Sequence, residues 1–456
     1  MVPQALKTTF SQGLVVIPLA PFRRLSSEFV WIVLGQCLAV LGGIVGIRVL
    51  TGLLSPESYG ELTLGITFAT MQQQLIMAPI SVACARYFAP ARESGQLLAY
   101  LRAVKQLLIG ETLLILSIVG IAGLGLWALD LKEWLLLVVS ASFFGLCSGY
   151  GQSLDGIQNA ARQRIVVAWH QSLMQWLRFS CGVMAVTLMG ASGSVVLQGY
   201  TLASIIVLAS QCVFFRRKIV FRGASYQNSD ADYNPQFIRD TLNYAWPFAT
   251  WGIFTWLQLA SDRWALQAFE DTRSVGLYAV IYQLGYYPVV LFSEMLVQLA
   301  APVLFNIAGY GTNPGRVERA HKLIWMLFIV VVSSTLLVVV LASLLHSQIF
   351  EKLVVWEDGY ISSLWPFMIL SGGLFSSGQI IALMFMISGS TKTLLMPKVG
   401  AALIGIFFNI MGAYWYGLHG VIIASVGFSS VYAVWMLLIA NGYAGNLFPI
   451  RQLRAS

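Results

Sequence analysis

Apolar positions along this chain fall in long continuous runs separated by short polar segments. Twelve runs, at 30–53, 63–85, 106–129, 134–154, 165–189, 193–215, 242–261, 275–304, 323–345, 361–387, 398–416 and 419–440, each match the roughly 20 mostly apolar residues that a helix needs to cross a bilayer. None shows the every-second-residue alternation of a barrel strand, so the runs predict helices. The longest polar connection, 216–241, divides the chain into six spans and six. The pattern predicts an all-α polytopic membrane protein of about 12 transmembrane helices. Its parts are a lead-in at 1–29, six-helix lobes at 30–215 and 242–440, the 216–241 linker and a tail at 441–456.

The connections alternate in charge. The N-terminal segment and every second loop hold 21 of the 27 Lys and Arg residues, from Lys7, Arg23 and Arg24 through Arg162, Arg164 and the Arg216–Lys218 cluster to Arg451 and Arg454. The opposite loops hold four: Lys132, Arg263, Arg273 and Lys352. This bias predicts that both termini are cytoplasmic. The net charge of +8 is thereby explained as a topology signal that anionic lipid favours, and no nucleic-acid partner is expected. Arg23-Arg24 follows the apolar stretch 14–20 instead of preceding it, so a cleavable leader is not expected.

Composition agrees. With 58% hydrophobic and 10% charged residues and a mean hydropathy of +0.76, the chain lacks the polar surface of a soluble domain, for which about a quarter of residues are charged. The five cysteines all fall inside predicted spans without metal-ligand spacing and read as small apolar core residues. No cofactor or metal is expected, and no nucleophile motif or Gly-rich phosphate loop argues for an enzyme.

The two halves repeat a local pattern. Arg48 is followed by a polar turn and then Ser58-Tyr59-Gly60; Arg263 is followed by a polar turn and then Ser274-Val275-Gly276. The offset is 215 at the Arg and 216 at the Gly, matching the six-plus-six division. An even number of spans per repeat keeps both halves in one orientation, related by a pseudo-two-fold axis along the membrane normal.

The segment from Arg48 to Gly60, RVLTGLLSPESYG, resembles the end of the first helix in bacterial polysaccharide and O-antigen flippases of the multidrug/oligosaccharidyl-lipid/polysaccharide (MOP) exporter superfamily. Asp262-Arg263 with Val275-Gly276-Leu277-Tyr278 is similar to their seventh-to-eighth helix turn. Ser388-Gly-Ser-Thr-Lys392, Asn409 and Gly417-Leu-His-Gly420 resemble their last helix pair, with one basic residue at 388–392 where relatives often carry two. The resemblance implies a two-lobed transporter of the bacterial inner membrane. It implies flipping of a polyprenyl-diphosphate-linked oligosaccharide to the outer leaflet, alongside membrane lipids and polysaccharide polymerase or export machinery.

Polar residues inside the spans supply candidate chemistry, because such residues are costly there. Arg178 lies about 14 residues, roughly 20 Å, into span 5. Gln171, Gln175 and Arg178 share one helix face at i, i+4 and i+7. A guanidinium suits a diphosphate, and amides suit sugars. Arg48, near the outer end of span 1, either snorkels to the interface or contacts an anion at the cleft mouth. Span 8 carries Gln283, Tyr287, Glu294 and Gln298 on one face, with Pro288 as a possible kink, and span 7 carries Trp251, Thr255, Gln258 and Asp262. Glu294 and Asp262 are candidates for proton or Na⁺ coupling, or for pairing with the arginines. One of Gln72, Gln73 and Gln74 is expected to reach a cavity, and Glu111 is expected at the inner interface, solvated. Two other functions fit less well. An ion-coupled multidrug or metabolite antiporter would favour deep carboxylates over a deep arginine, and a membrane-embedded polysaccharide polymerase or ligase would need a larger outer loop.

Overall fold

The computed structural model describes residues 41–217, 235–309, 314–356, 360–388 and 391–447, with the side chains of Trp251, Pro302, Pro314, Thr391, Lys392 and 443–447 excepted. Within them the chain runs α1 (Leu41–Leu53), α2 (Pro56–Gln72), a π-helical turn (Gln73–Met77) and α3 (Ala78–Glu93). Four helices complete the N-terminal half: α4 (Leu97–Ala128), α5 (Lys132–Ala160), α6 (Arg164–Met189) and α7 (Gly193–Phe215). The C-terminal half comprises α8 (Pro235–Phe269), α9 (Thr272–Leu284), α10 (Tyr286–Ala308), α11 (Pro314–Leu353), α12 (Trp365–Ile387) and α13 (Leu395–Leu447). No strand occurs among the described residues. The protein is an all-α, multi-pass membrane protein. Seven helical stretches among the described residues, one of them α9 and α10 taken together, are long and apolar enough to cross a membrane, so the count of twelve stays an expectation of the sequence pattern. Residues 389–390 of the predicted basic motif at 388–392, and the side chains of Thr391, Lys392 and Trp251, fall outside the described residues.

Three interruptions have local causes. The π turn precedes Pro79, whose missing N–H cannot serve the carbonyl four residues back, and the chain takes up the mismatch in a wider turn. Pro288 does the same to the carbonyl of Leu284, so the predicted single span 8 breaks at Gly285 into α9 and α10. Gly417, at φ 54° and ψ −133°, bends α13 between the predicted spans 11 and 12, where a side chain would be strained.

One expectation is corrected. Arg263 was assigned to a polar loop opposite the basic side, but α8 continues to Phe269 and Arg263 is buried inside it. Its charge is matched by Asp262 one residue earlier, which is what allows the helix to carry it. The predicted linker is shortened likewise, because α8 already begins at Pro235.

The hydrophobic cores place the two halves. One core joins them, from Ile47, Leu50 and Tyr59 through Tyr200 to Tyr278, Trp365 and Val421, on the side away from the basic loops. On the basic side lie two smaller cores, one around Phe88, Tyr100 and Ile157, with Phe237 of α8 packed against it, and one around Phe385, Tyr432 and Met436 in the C-terminal half. The repeated motif makes the central crossing. Ser55 caps α2 by accepting from the Ser58 N–H (3.2 Å), and Asp271 caps α9 by accepting from the Ser274 N–H (2.8 Å). Gly60 lies against the carbonyl oxygen of Thr272, and Gly276 against that of Pro56, so a methyl group at either position would collide with backbone. Glu57 pairs with Arg273 at 3.2 Å across the same junction. The Glu57 carboxyl is held below the usual carboxylate range by its own backbone N–H, with Ser55 and Arg273 adding to the effect.

Candidate functional site

The N-terminal half encloses a cavity of about 670 Å³. It is walled by α2, α5, α6 and α7, and by Tyr287, Leu291 and Gln298 of α10. It reaches Asn159 and Arg164 at the α5–α6 turn, so it runs toward the basic side. Its volume lies within the roughly 300–1,000 Å³ of small-molecule sites.

Four of the predicted substrate residues, Gln171, Gln175, Arg178 and Gln298, line this one cavity. The Arg178 guanidinium is sandwiched between the rings of Phe144 (5.1 Å) and Tyr200 (4.6 Å). Its Nε is buried without a hydrogen-bond acceptor, and among the described residues no carboxylate pairs with it. A half-buried cation held between aromatic faces retains its capacity for an anion.

The sequence reading missed Asp155. It lies one residue past the predicted end of span 4, whereas α5 continues to Ala160 and carries the side chain into the cavity wall. Gln171 Nε2 donates to one carboxylate oxygen (3.0 Å) and Gln211 Nε2 to the other (2.6 Å). The signal was a polar face on α5, Gln152, Asp155 and Asn159 at i, i+3 and i+7. The wall carries two guanidinium groups, Arg164 and Arg178, and one carboxylate, an excess of positive charge. Of the three adjacent glutamines, Gln73 reaches the cavity, where it donates to Ser148 Oγ (2.6 Å) and accepts from Gln152 Nε2 (2.9 Å).

Other predicted residues lie elsewhere. Arg48 is exposed at the end of α1, and its Nη1 donates to the Glu351 carbonyl at 3.4 Å. Gln283 accepts from the Tyr59 hydroxyl (3.1 Å) at the junction of the halves; the break at Gly285 rotates it out of phase with Gln298. Asp262 is buried. Arg263 Nη1 donates to both of its carboxylate oxygens (3.1 and 3.3 Å), and Tyr278 Oη donates to one of them (2.6 Å). The Arg263 guanidinium also stacks on Tyr282 at 4.5 Å. Glu111 is not solvated: it is 3% exposed within α4, with neither oxygen hydrogen-bonded, because fourteen residues of helix precede it.

Glu294 lines a second cavity of about 450 Å³ in the C-terminal half, enclosed by α8, α10, α12 and α13 with Tyr282 of α9. Tyr287 lines both cavities.

Two helical halves joined on one side, each with a cavity, make up a fold that solved structures share. The lipid II flippase MurJ, in an inward closed conformation, superposes with a TM-score of 0.70 at 15% identity, over 91% of this chain and 87% of that one. An inward-facing multidrug-resistance transporter of the MATE family gives 0.64 at 15% identity, over 90% and 95%. A MOP-superfamily transporter from Pyrococcus furiosus gives 0.58 at 16% identity, over 93% and 95%. No curated protein matches the chain by sequence. The chain belongs to the polysaccharide biosynthesis protein family, whose model matches residues 25–308.

Proposed function

We propose that the protein flips a polyprenyl-diphosphate-linked oligosaccharide from the cytoplasmic to the outer leaflet of the bacterial inner membrane, for surface polysaccharide synthesis. The observation that carries this reading is Arg178, a deep guanidinium facing the N-terminal cavity without a carboxylate partner. The diphosphate binds there through charge-assisted hydrogen bonds, and Gln171, Gln175 and Gln298 offer amides to the rest of the headgroup. The lipid tail stays in the bilayer. The family match and the fold shared with a lipid II flippase support the assignment.

Coupling is proposed at Glu294, whose carboxylate lines a cavity and makes no hydrogen bond or ion pair among the described residues. Asp262 is a poorer candidate, since Arg263 and Tyr278 already occupy it.

The test is surface polymer in cells lacking their own flippase. Arg178→Ala abolishes polymer at normal protein level, and Arg178→Lys, which keeps the charge but loses the planar fork, restores part of it. Normal polymer from Arg178→Ala removes the anion site from the account.

A further inference from the structure

The C-terminal cavity is not explained by an anion site or by coupling alone. Its walls combine aromatic rings with polar groups that lack partners. Tyr282 and Tyr286 stack with centroids 4.8 Å apart, and Phe375 lies 6.1 Å from Tyr286 and 5.3 Å from Tyr432. All four rings line the cavity. Tyr432 is 2% exposed, and its hydroxyl is buried with no hydrogen-bond partner. Gln258 and Gln379 also line the cavity, and neither side-chain amide is hydrogen-bonded among the described residues. A buried polar group without a partner costs free energy, so the Tyr432 hydroxyl, with the two half-buried amides on the same aromatic wall, marks a place where a ligand supplies the missing bonds.

We infer that this cavity is a sugar subsite, taking the hexose ring bonded directly to the substrate's diphosphate. This rests on the flippase reading above. A pyranose ring has apolar C–H faces that pack on aromatic rings and an equatorial belt of hydroxyls that both donate and accept. The wall matches both, with rings for the faces and with Gln258, Gln379 and Tyr432 for the hydroxyls. Position agrees as well. Tyr287 lines this cavity and the one holding Arg178, so the two abut at a single side chain. A sugar joined to a diphosphate requires such adjacency. An organic cation would also suit aromatic walls, but Lys398 lines the cavity along with Glu294, so the wall has no net charge to select one.

The experiment compares two probes on the full protein in lipid nanodiscs: polyprenyl diphosphate, and the same lipid carrying one N-acetylhexosamine. Gln379→Leu and Tyr432→Phe, which keep size and shape, weaken the sugar-bearing probe about three- to tenfold, the range of one lost hydrogen bond, and leave the bare probe unchanged. Melting temperatures confirm that both variants are folded. Equal effects on the two probes, or none on either, overturn the sugar assignment. So does tight binding of tetraphenylphosphonium that Glu294→Gln abolishes, which makes the occupant a cation. Arg178→Ala separates the two readings, because it weakens both probes alike if the anion site is right. If it weakens neither while Gln379→Leu still discriminates between probes, the anion site fails and the sugar subsite stands.

Discussion

Four ionisable groups deep in the helices show how differently the same cost is met. Arg178 is covered by aromatic faces, Asp262 and Arg263 neutralise each other, and Glu294 faces a cavity. The last two arrangements predict opposite phenotypes. Asp262→Asn strands the buried Arg263 charge, and removing one partner of such a pair costs about 3–5 kcal/mol. The variant should melt well below the parent protein and accumulate poorly. Glu294→Gln loses no partner, so it should melt like the parent, while transport in inverted vesicles loses dependence on the ion gradient because an amide exchanges no proton. A stable Asp262→Asn protein, or unchanged gradient dependence in Glu294→Gln, contradicts this division. The stripe Gln171, Gln175 and Arg178 was legible in the sequence because α6 is unbroken across it and helical spacing alone fixes a shared face. Gln283 and Gln298 were read the same way, but the break at Gly285 lies between them. Asp155 was hidden by a span boundary drawn at 154, since apolarity marks where the bilayer core ends and not where the helix ends.

At the scale of elements, the crossing of α2 and α9 holds the halves together. The repeated Ser-x-Gly was visible in the sequence as an internal match. What the sequence did not reveal was that the two copies meet, with each glycine seated on the other copy's backbone. That contact depends on three-dimensional symmetry and has no local pattern. It yields a direct test. In a background without the native cysteines, Glu57→Cys with Arg273→Cys should be joined readily by a short bis-maleimide that spans the length of the two native side chains, whose tips meet at 3.2 Å. Adding Gly60→Leu forces the helices apart, at an overpacking cost of about 1–3 kcal/mol, and should lower the yield several-fold. Gly110→Leu is the control: a side chain there meets open space and should leave the yield unchanged. Undiminished cross-linking in Gly60→Leu would show that this crossing does not close the molecule.

At the scale of the whole molecule, the larger shared core lies opposite the basic loops, whereas on the basic side α8 packs its Phe237 and Tyr244 rings on Tyr100 and Tyr87 of the N-terminal half, and the N-terminal cavity opens that way. The arrangement is suited to receiving a ligand from the basic side, and releasing it on the other requires the α2–α9 crossing to part. In the proposed function, this movement carries a lipid-linked glycan past Arg178. The most direct measurement uses proteoliposomes holding a fluorescent polyprenyl-diphosphate oligosaccharide, with the labelled headgroup in the outer leaflet followed by a membrane-impermeant quencher. The protein should speed exchange between leaflets over protein-free vesicles, and Arg178→Ala should slow it about tenfold or more, the scale of lost hydrogen bonds to a charged group. Exchange no faster than in protein-free vesicles, or Arg178→Ala exchanging as fast as the parent protein, would contradict it.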